Sequence, residues 1–400
     1  MTAPLAGIRV IEVASYVAAP AAGALLADLG AEVIKVEVAQ GEIYRMSTPR
    51  MAGFASDFPE APHFQMDNRG KRSLALDLNR PAAQQALATL IDSADIVLTN
   101  MLPSRLEKYG LDAKTLRGRR PELIFASLSG YGHRGADADT PAFDYTAFWS
   151  RTGLMDQLHE PDAPPAFLRP GIGDHSASLS LTTGILAALR VRDQTGQGQE
   201  VEVSLMHIGF YIQGNDASLT LVTGESPPRH DRRRPRNPIW NHYPVRGGRW
   251  LFLVMIESDR YWPEFCRAIE RTDLIEDTRF SGAVARYHNC EPLVEILDAV
   301  FSEHTLPEWE EILAKYRLIW SPVRTLAEAI HDPTAREFGS FTAVSHPTAG
   351  EFDAVAPPMR LSEHEMRGER PAPALGADGE DLLRKAGLSE EQIQAALGNE

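Results

Sequence analysis

The first 37 residues constrain the fold more than any other stretch. Ile8-Arg-Val-Ile-Glu-Val13 is β-branched and apolar and runs into small residues, which predicts a strand. Residues 20–29 carry Ala and Leu on one face and stop at Gly30, which predicts a helix. Glu32-Val-Ile-Lys-Val-Glu37 reads as a second strand. Strand, helix and strand at this spacing make a βαβ unit, so the two strands run parallel and the crossover is right-handed. The turn Ala14-Ser-Tyr-Val-Ala-Ala-Pro20 lacks the G-x-G-x-x-G fingerprint and gives no argument for a dinucleotide.

The alternation continues. Arg72-Ser-Leu-Ala-Leu-Asp77-Leu78, residues 95–99 and residues 123–129 read as further strands, with helices over 82–93 and 105–109. Asn100 falls at a strand's carboxyl end, where open α/β sheets place ligands. Residues 40–64 read as loop because of Gly41, Pro49, Gly53, Pro59 and Pro62. The expected class is α/β, with a Rossmann-like parallel sheet in a large domain and a smaller α+β domain. Residues 1–222 would form the large domain, 223–330 the small one, and 331–400 would return to the large one. The proline-rich stretch 224–238 is the best linker; its Arg232-Arg-Arg234 run suits a solvated connector or a phosphate. Residues 143–154, 206–221, 289–301 and 306–316 read as helices, 240–254 as a hairpin around Gly247-Gly248, and 341–355 as extended.

The chain has 400 residues and a net charge of −15, which argues against nucleic acid or an anionic membrane as a partner. Its two cysteines, Cys266 and Cys290, offer no disulfide framework and suit a reducing compartment. No apolar run reaches membrane-spanning length, and a soluble cytoplasmic protein is expected.

The chemistry candidates narrow by elimination. The twelve His are scattered without an HExxH or paired spacing, so no metal site is expected. No G-x-S-x-G elbow or phosphate-binding glycine loop is present. What remains is a carboxylate. Arg169-Pro-Gly-Ile-Gly-Asp174-His-Ser places Asp174 where a glycine loop meets a long run of Ala, Leu and Ile, with the helix expected to start at about Asp174. Glycine backbone lets a ligand approach closely, so Asp174 either meets a substrate or simply caps its helix. Asp144 is a second acid among apolar neighbours, and His133 and His175 are acid–base candidates.

The ordered motifs resemble the family III CoA-transferases. They are Leu5-Ala-Gly-Ile-Arg-Val-Ile-Glu12, Leu29-Gly-Ala-Glu-Val-Ile-Lys-Val-Glu37, Asn68-Arg-Gly-Lys-Arg-Ser73, Asp95-Ile-Val-Leu-Thr-Asn100, Ser129-Gly-Tyr-Gly132, Gly173-Asp174, Thr195-Gly-Gln-Gly-Gln199 and Pro373-Ala-Leu-Gly376. The resemblance implies that Asp174 is a covalent nucleophile, passing through an acyl anhydride and an aspartyl-CoA thioester. It implies CoA contacts at Val17, Ala18, Leu76, Asp77, Leu78, Asn79, Asn100, Met101, Leu102, Lys108, Pro141, Phe143 and Asp144. Gly171 and Gly173 would lend N–H groups to an oxyanion. CoA would come and go as part of the substrates, an acyl-CoA and a carboxylic acid, with no permanently bound cofactor. An interlocked homodimer is also implied.

Two departures stand out. Some relatives carry Arg where this chain has Val38, so a phosphate contact would move to Arg72, Lys71 or Arg45. The shielding glycine loop of formyl-CoA transferase has no counterpart between Trp240 and Trp250. The related racemases carry His where this chain has Phe143, which favours transfer; an acyl-CoA racemase or isomerase is the alternative, and a non-catalytic CoA-thioester binder a third reading.

Overall fold

A computed structural model of the chain describes residues 3–364, 366 and 368–398. Met1 and Glu400, the outer limits of the expected domains, fall outside them. Six strands form one sheet: β1 (Arg9–Val13), β2 (Glu32–Glu37), β3 (Arg72–Ala75), β4 (Ile96–Thr99), β5 (Ile124–Ser129) and β6 (Glu200–Ser204). Their spatial order is β3-β2-β1-β4-β5-β6, and every neighbouring pair is parallel. That is the doubly wound order, in which the chain reverses direction between β1 and β4 and ligands bind at the strands' carboxyl ends.

Both faces of the sheet are covered, as parallel sheets require. On one face pack α1 (Ala18–Asp28) and the long helix Ile172–Thr195. Every residue of α1 is buried, which its Ala-rich sequence permits because small side chains let the helix lie close to both neighbours. Its last residue, Asp28, is buried with Arg69, whose Nη2 approaches to 2.6 Å. On the other face pack the helices Pro81–Ile91, Gly379–Lys385 and Glu390–Leu397, around Leu87, Leu90, Leu382 and Ile393.

By contacts the chain divides into two units: Met1–Met155 with Phe167–Ser226 and Thr334–Glu400, and Asp156–Ala166 with Pro227–Pro333. The second unit has its own core of Tyr243, Phe265, Phe301 and Trp309 and a three-stranded antiparallel sheet. Its hairpin pairs Trp240–Val245 with Arg249–Val254. Arg232, in the basic run, holds Asp298 at 2.8 Å.

Several local expectations change. The stretch 40–64 contains a short turn of 3₁₀ helix, Ile43–Met46, and opens α2 (Pro62–Asn68), where Pro62 begins a helix instead of breaking one. Residues 143–154 form a wide π-helical segment, Tyr145–Ser150, and the start of a short helix, Leu154–Gln157. The 206–221 helix is two helices, Leu205–Ile212 and Gly214–Thr223. The long helix begins at Ile172, before Asp174, because Gly171 at φ +87° turns the chain into it. Asp174 therefore stands in the first helical turn and not at the cap. Among the described residues no helix is long and apolar enough to cross a membrane.

Candidate active site

The turn after β1 and the end of β4 meet at the switch point of the sheet. Ser15 N–H donates to Asn100 Oδ1 at 3.1 Å, and Asn100 Nδ2 donates back to the Ser15 carbonyl at 2.8 Å. The next residue, Tyr16, has φ +65°, a conformation that costs a non-glycine residue roughly 1–2 kcal/mol. It is held there by the Glu42 carboxylate, which accepts the Tyr16 N–H at 2.6 Å. Glu42 is itself fixed by buried Lys35 at 2.7 Å, and Lys35 also reaches Glu12 at 3.2 Å.

Seven of the residues singled out in the sequence line one pocket above this turn: Val17, Ala18, Asn100, Met101, Leu102, Phe143 and Asp174. Tyr16, Leu128, Ser129, Gly130 and Leu205 complete much of its wall. Tyr16 and Phe143 meet edge to face, with ring centroids 5.2 Å apart. A larger hollow of about 1070 Å3 opens among Phe338, Phe341, Pro357 and Met359 and contains none of the residues singled out.

Asp174 is mostly buried, and burial pushes its carboxyl up to about 7; nearby Asp144 and Asp67 push the same way, and His175 opposes them. Asp144 lies under the first helical turn. Its Oδ2 accepts the Gly171 N–H at 2.7 Å, while its buried Oδ1 faces the Gly173 N–H and the Trp149 indole without a well-formed hydrogen bond. Burial raises the Asp144 carboxyl as well. A side chain at Gly173 would overlap Asp144 Oδ1 and the Phe148 ring, so only glycine brings the helix this close. This corrects the expectation for Gly171 and Gly173. Their N–H groups face the Asp144 carboxylate because a buried acid needs donors.

His175 Nε2 stands 3.0 Å from Oδ1 of buried Asp67, and the Tyr44 hydroxyl donates to Asp67 Oδ2 at 3.3 Å. No local pattern marks Tyr44; Asp67 directly precedes the Asn68-Arg-Gly-Lys-Arg motif, a signal that points to this place without naming it.

The remaining candidates are elsewhere. Leu76 is buried in the core of the opposite face, and Leu78 packs against it. Asp77 closes a turn by accepting the Asn79 N–H at 3.0 Å. Asn79 accepts from Tyr109, next to exposed Lys108. These form a second cluster outside the pocket lining. Pro141 is exposed between the lining residues Thr140 and Ala142. Arg72 is a correction: it lies near the amino end of the sheet, bound to Glu32, Asp378 and Asp381, and does not line the pocket. Three carboxylates already occupy its guanidinium. Lys71 is buried against Glu12 at 2.7 Å, and Arg45 grips Glu37 at 2.6 Å, so neither presents a free cation to this pocket. Cys266 lies in the core of the second unit, where burial pushes its thiol up to about 12.

A half-buried carboxylate beside two other acids stands in the pocket at the sheet's switch point, the place where doubly wound sheets bind ligands. The chain belongs to CoA-transferase family III, whose model matches residues 5–379. It is 32% identical over 389 residues to the (R)-2-hydroxy-4-methylpentanoate CoA-transferase of Clostridioides difficile, covering 97% of each. It is 30% identical over 395 residues to the cinnamoyl-CoA:phenyllactate CoA-transferase of Clostridium sporogenes, covering 97% of this chain and 94% of that one. A solved CAIB/BAIF family protein from Brucella suis superposes with a TM-score of 0.85 at 27% identity, over 96% of this chain and 100% of that chain. Rv3272 from Mycobacterium tuberculosis gives 0.81 at 28% identity, over 94% and 98%. The protein is an enzyme that transfers CoA.

Proposed function

We propose that Asp174 carries the transferred groups covalently and that CoA moves from an acyl-CoA thioester to a free carboxylic acid. The observation that carries this reading is the Asp174 carboxylate in a pocket lined by Tyr16, Met101 and Phe143, with no cation among the residues that perturb it except His175. One Asp174 oxygen attacks the thioester carbonyl carbon, and the C–S bond breaks with its electron pair leaving on the thiolate. The product is a mixed anhydride. The thiolate then attacks the Asp174 carbonyl carbon and expels the first acid as a carboxylate. The incoming carboxylate reverses both steps and restores Asp174. Each intermediate is an activated acyl group, so the thioester energy is conserved.

The start of α1 supports the charge development. It carries no side-chain cap, and Val17 and Ala18 line the pocket, so the positive end of a helix is available where negative charge forms. Apolar walls from Leu128, Leu205 and Met101 exclude water from the anhydride. With Tyr16 and Phe143 they also favour acids whose remainder is apolar. The two curated relatives above, whose names specify one aliphatic and one aromatic hydroxy acid, support that class. CoA is consumed and released with the substrates and is not a resident cofactor. Racemisation would need a base on each face of an α-carbon, and Phe143 and the outlying His133 supply none.

Asp174→Ala should lower transfer by at least ~10³-fold, and hydroxylamine should trap an aspartyl hydroxamate at residue 174 of the wild type during turnover, read by peptide mass spectrometry. Undiminished turnover by the variant would refute the reading.

A further inference from the structure

We propose that His175, clamped by buried Asp67, is a positioning residue that keeps Asp174 ionised, so that the Asp67–His175 pair sets the lower pH limit of transfer. This rests on the reading of Asp174 as the nucleophile.

The geometry is not a local accident of the helix. Asp67 lies on α2 and reaches His175 across 108 residues of sequence. It is 1% exposed, and both its oxygens are engaged, one by the His175 ring and one by the Tyr44 hydroxyl. No Lys or Arg pairs with it in the observed contacts, so the imidazole is the group able to balance its charge. A buried aspartate with such a partner favours the imidazolium. That places a positive charge on the residue next to Asp174.

The charge is needed there. Four ionisable groups interact electrostatically with Asp174: Asp144 from the turn before the π-helical segment, Asp67 from α2, Tyr44 from the 3₁₀ turn, and His175 from its own helix. α1, β5, β6 and the helix Leu205–Ile212 also pack on this helix and add no further group to the balance. Asp144 and Asp67 are acids, and neighbouring carboxylates resist ionising together. Burial holds Tyr44 in its protonated form well above neutrality, so it acts as a donor to Asp67 and not as a charge. His175 is the one group that favours the Asp174 carboxylate. Burial by itself pulls the imidazole down, but the hydrogen bond and charge of Asp67 and the charge of Asp174 outweigh it and raise it above its ordinary value. A carboxylate nucleophile loses about tenfold in rate for each pH unit below its own midpoint.

The test is the pH profile of kcat/KM for CoA transfer with full-length wild type, His175→Gln and Asp174→Ala. Glutamine keeps a donor for Asp67 but carries no charge. The acid limb of His175→Gln should move up by about one pH unit or more, cutting activity at pH 6 by about tenfold with little change at pH 9. A loss of equal size at every pH, with the limb unmoved, would mean a structural role and overturn the proposal. If His175→Gln does not fold, ¹⁵N NMR of the His175 ring decides: it should titrate above the ordinary value in wild type and fall by at least about one unit in Asp67→Asn. A ring that titrates at or below the ordinary value in wild type overturns the proposal. An inactive Asp174→Ala with an unmoved His175→Gln limb rejects this proposal alone. Turnover by Asp174→Ala rejects the nucleophile reading and this proposal with it.

Discussion

At Glu12 the protein buries an acid between two lysines; at Asp174 it half-buries one beside two other acids. Glu12 is fully buried, with Lys71 at 2.7 Å and Lys35 at 3.2 Å. Glu42 extends the group to the Tyr16 N–H. Lysines offset these carboxylates, and the network holds a strained turn in place. Around Asp174, Asp144 and Asp67 stand close and only an imidazole offsets them. Charge is balanced where a strained turn is held and left in tension at the carboxylate proposed to react. Burial and neighbouring acids make Asp174 a stronger base than an exposed carboxylate, which favours attack on a carbonyl carbon, provided it is ionised.

The contrast can be broken most severely at its paired end. Glu12→Gln leaves Lys35 and Lys71 buried without their shared acid, and burial already pushes Lys71 down to about 8. It should cost about 3–5 kcal/mol of stability in urea unfolding. A loss below about 1 kcal/mol would show that the network is not holding the β1–β2 region. Gly173→Ala should cost about 1–3 kcal/mol through the overlap with Asp144 and Phe148, and should lower transfer together with stability. An alanine variant of full activity and stability would mean that the close approach is dispensable.

The smallest effect sharpens the unpaired end. Folded Asp174 keeps its proton up to about pH 7, whereas the unfolded carboxyl loses it near its usual value of 3.8. The folded state binds more protons across that window, so this group's contribution to stability falls as pH rises through it. Asp174→Asn should therefore be as stable as wild type at the acid end and gain on it steadily toward pH 7, in melting curves taken at several pH values. A wild type that keeps pace with the variant across the window would count against an uncompensated acid.

The sheet was legible because its strands are short β-branched runs separated by helices with clear stops, as in residues 8–37. The position of Asp174 beside a turn into a long helix was legible because Gly171 announces a turn of special conformation. The rest depended on contacts that no local pattern encodes. Asp67 meets His175 across 108 residues. Gly171 and Gly173 looked like oxyanion donors until Asp144, 27 residues before Gly171, took the first N–H. Arg72 looked like a phosphate contact because it sits in a basic motif, but acids at 32, 378 and 381 surround it. Helix α2 was hidden because Pro62 follows Pro59 in a stretch that resembles a loop, although proline is well suited to a first helical position.

The reciprocal hydrogen bonds of Ser15 and Asn100 turn the rim of the sheet into a sewn seam. In doubly wound sheets the connections after the two switch-point strands leave for opposite faces, and the ligand crevice lies outside the strand ends. Here the seam forms the floor of that crevice. On the proposed reading, a long ligand lies along the rim with its reactive end at the helix start. Such a mount grips without engulfing, which suits a carrier that has to be taken up and handed back in each catalytic cycle.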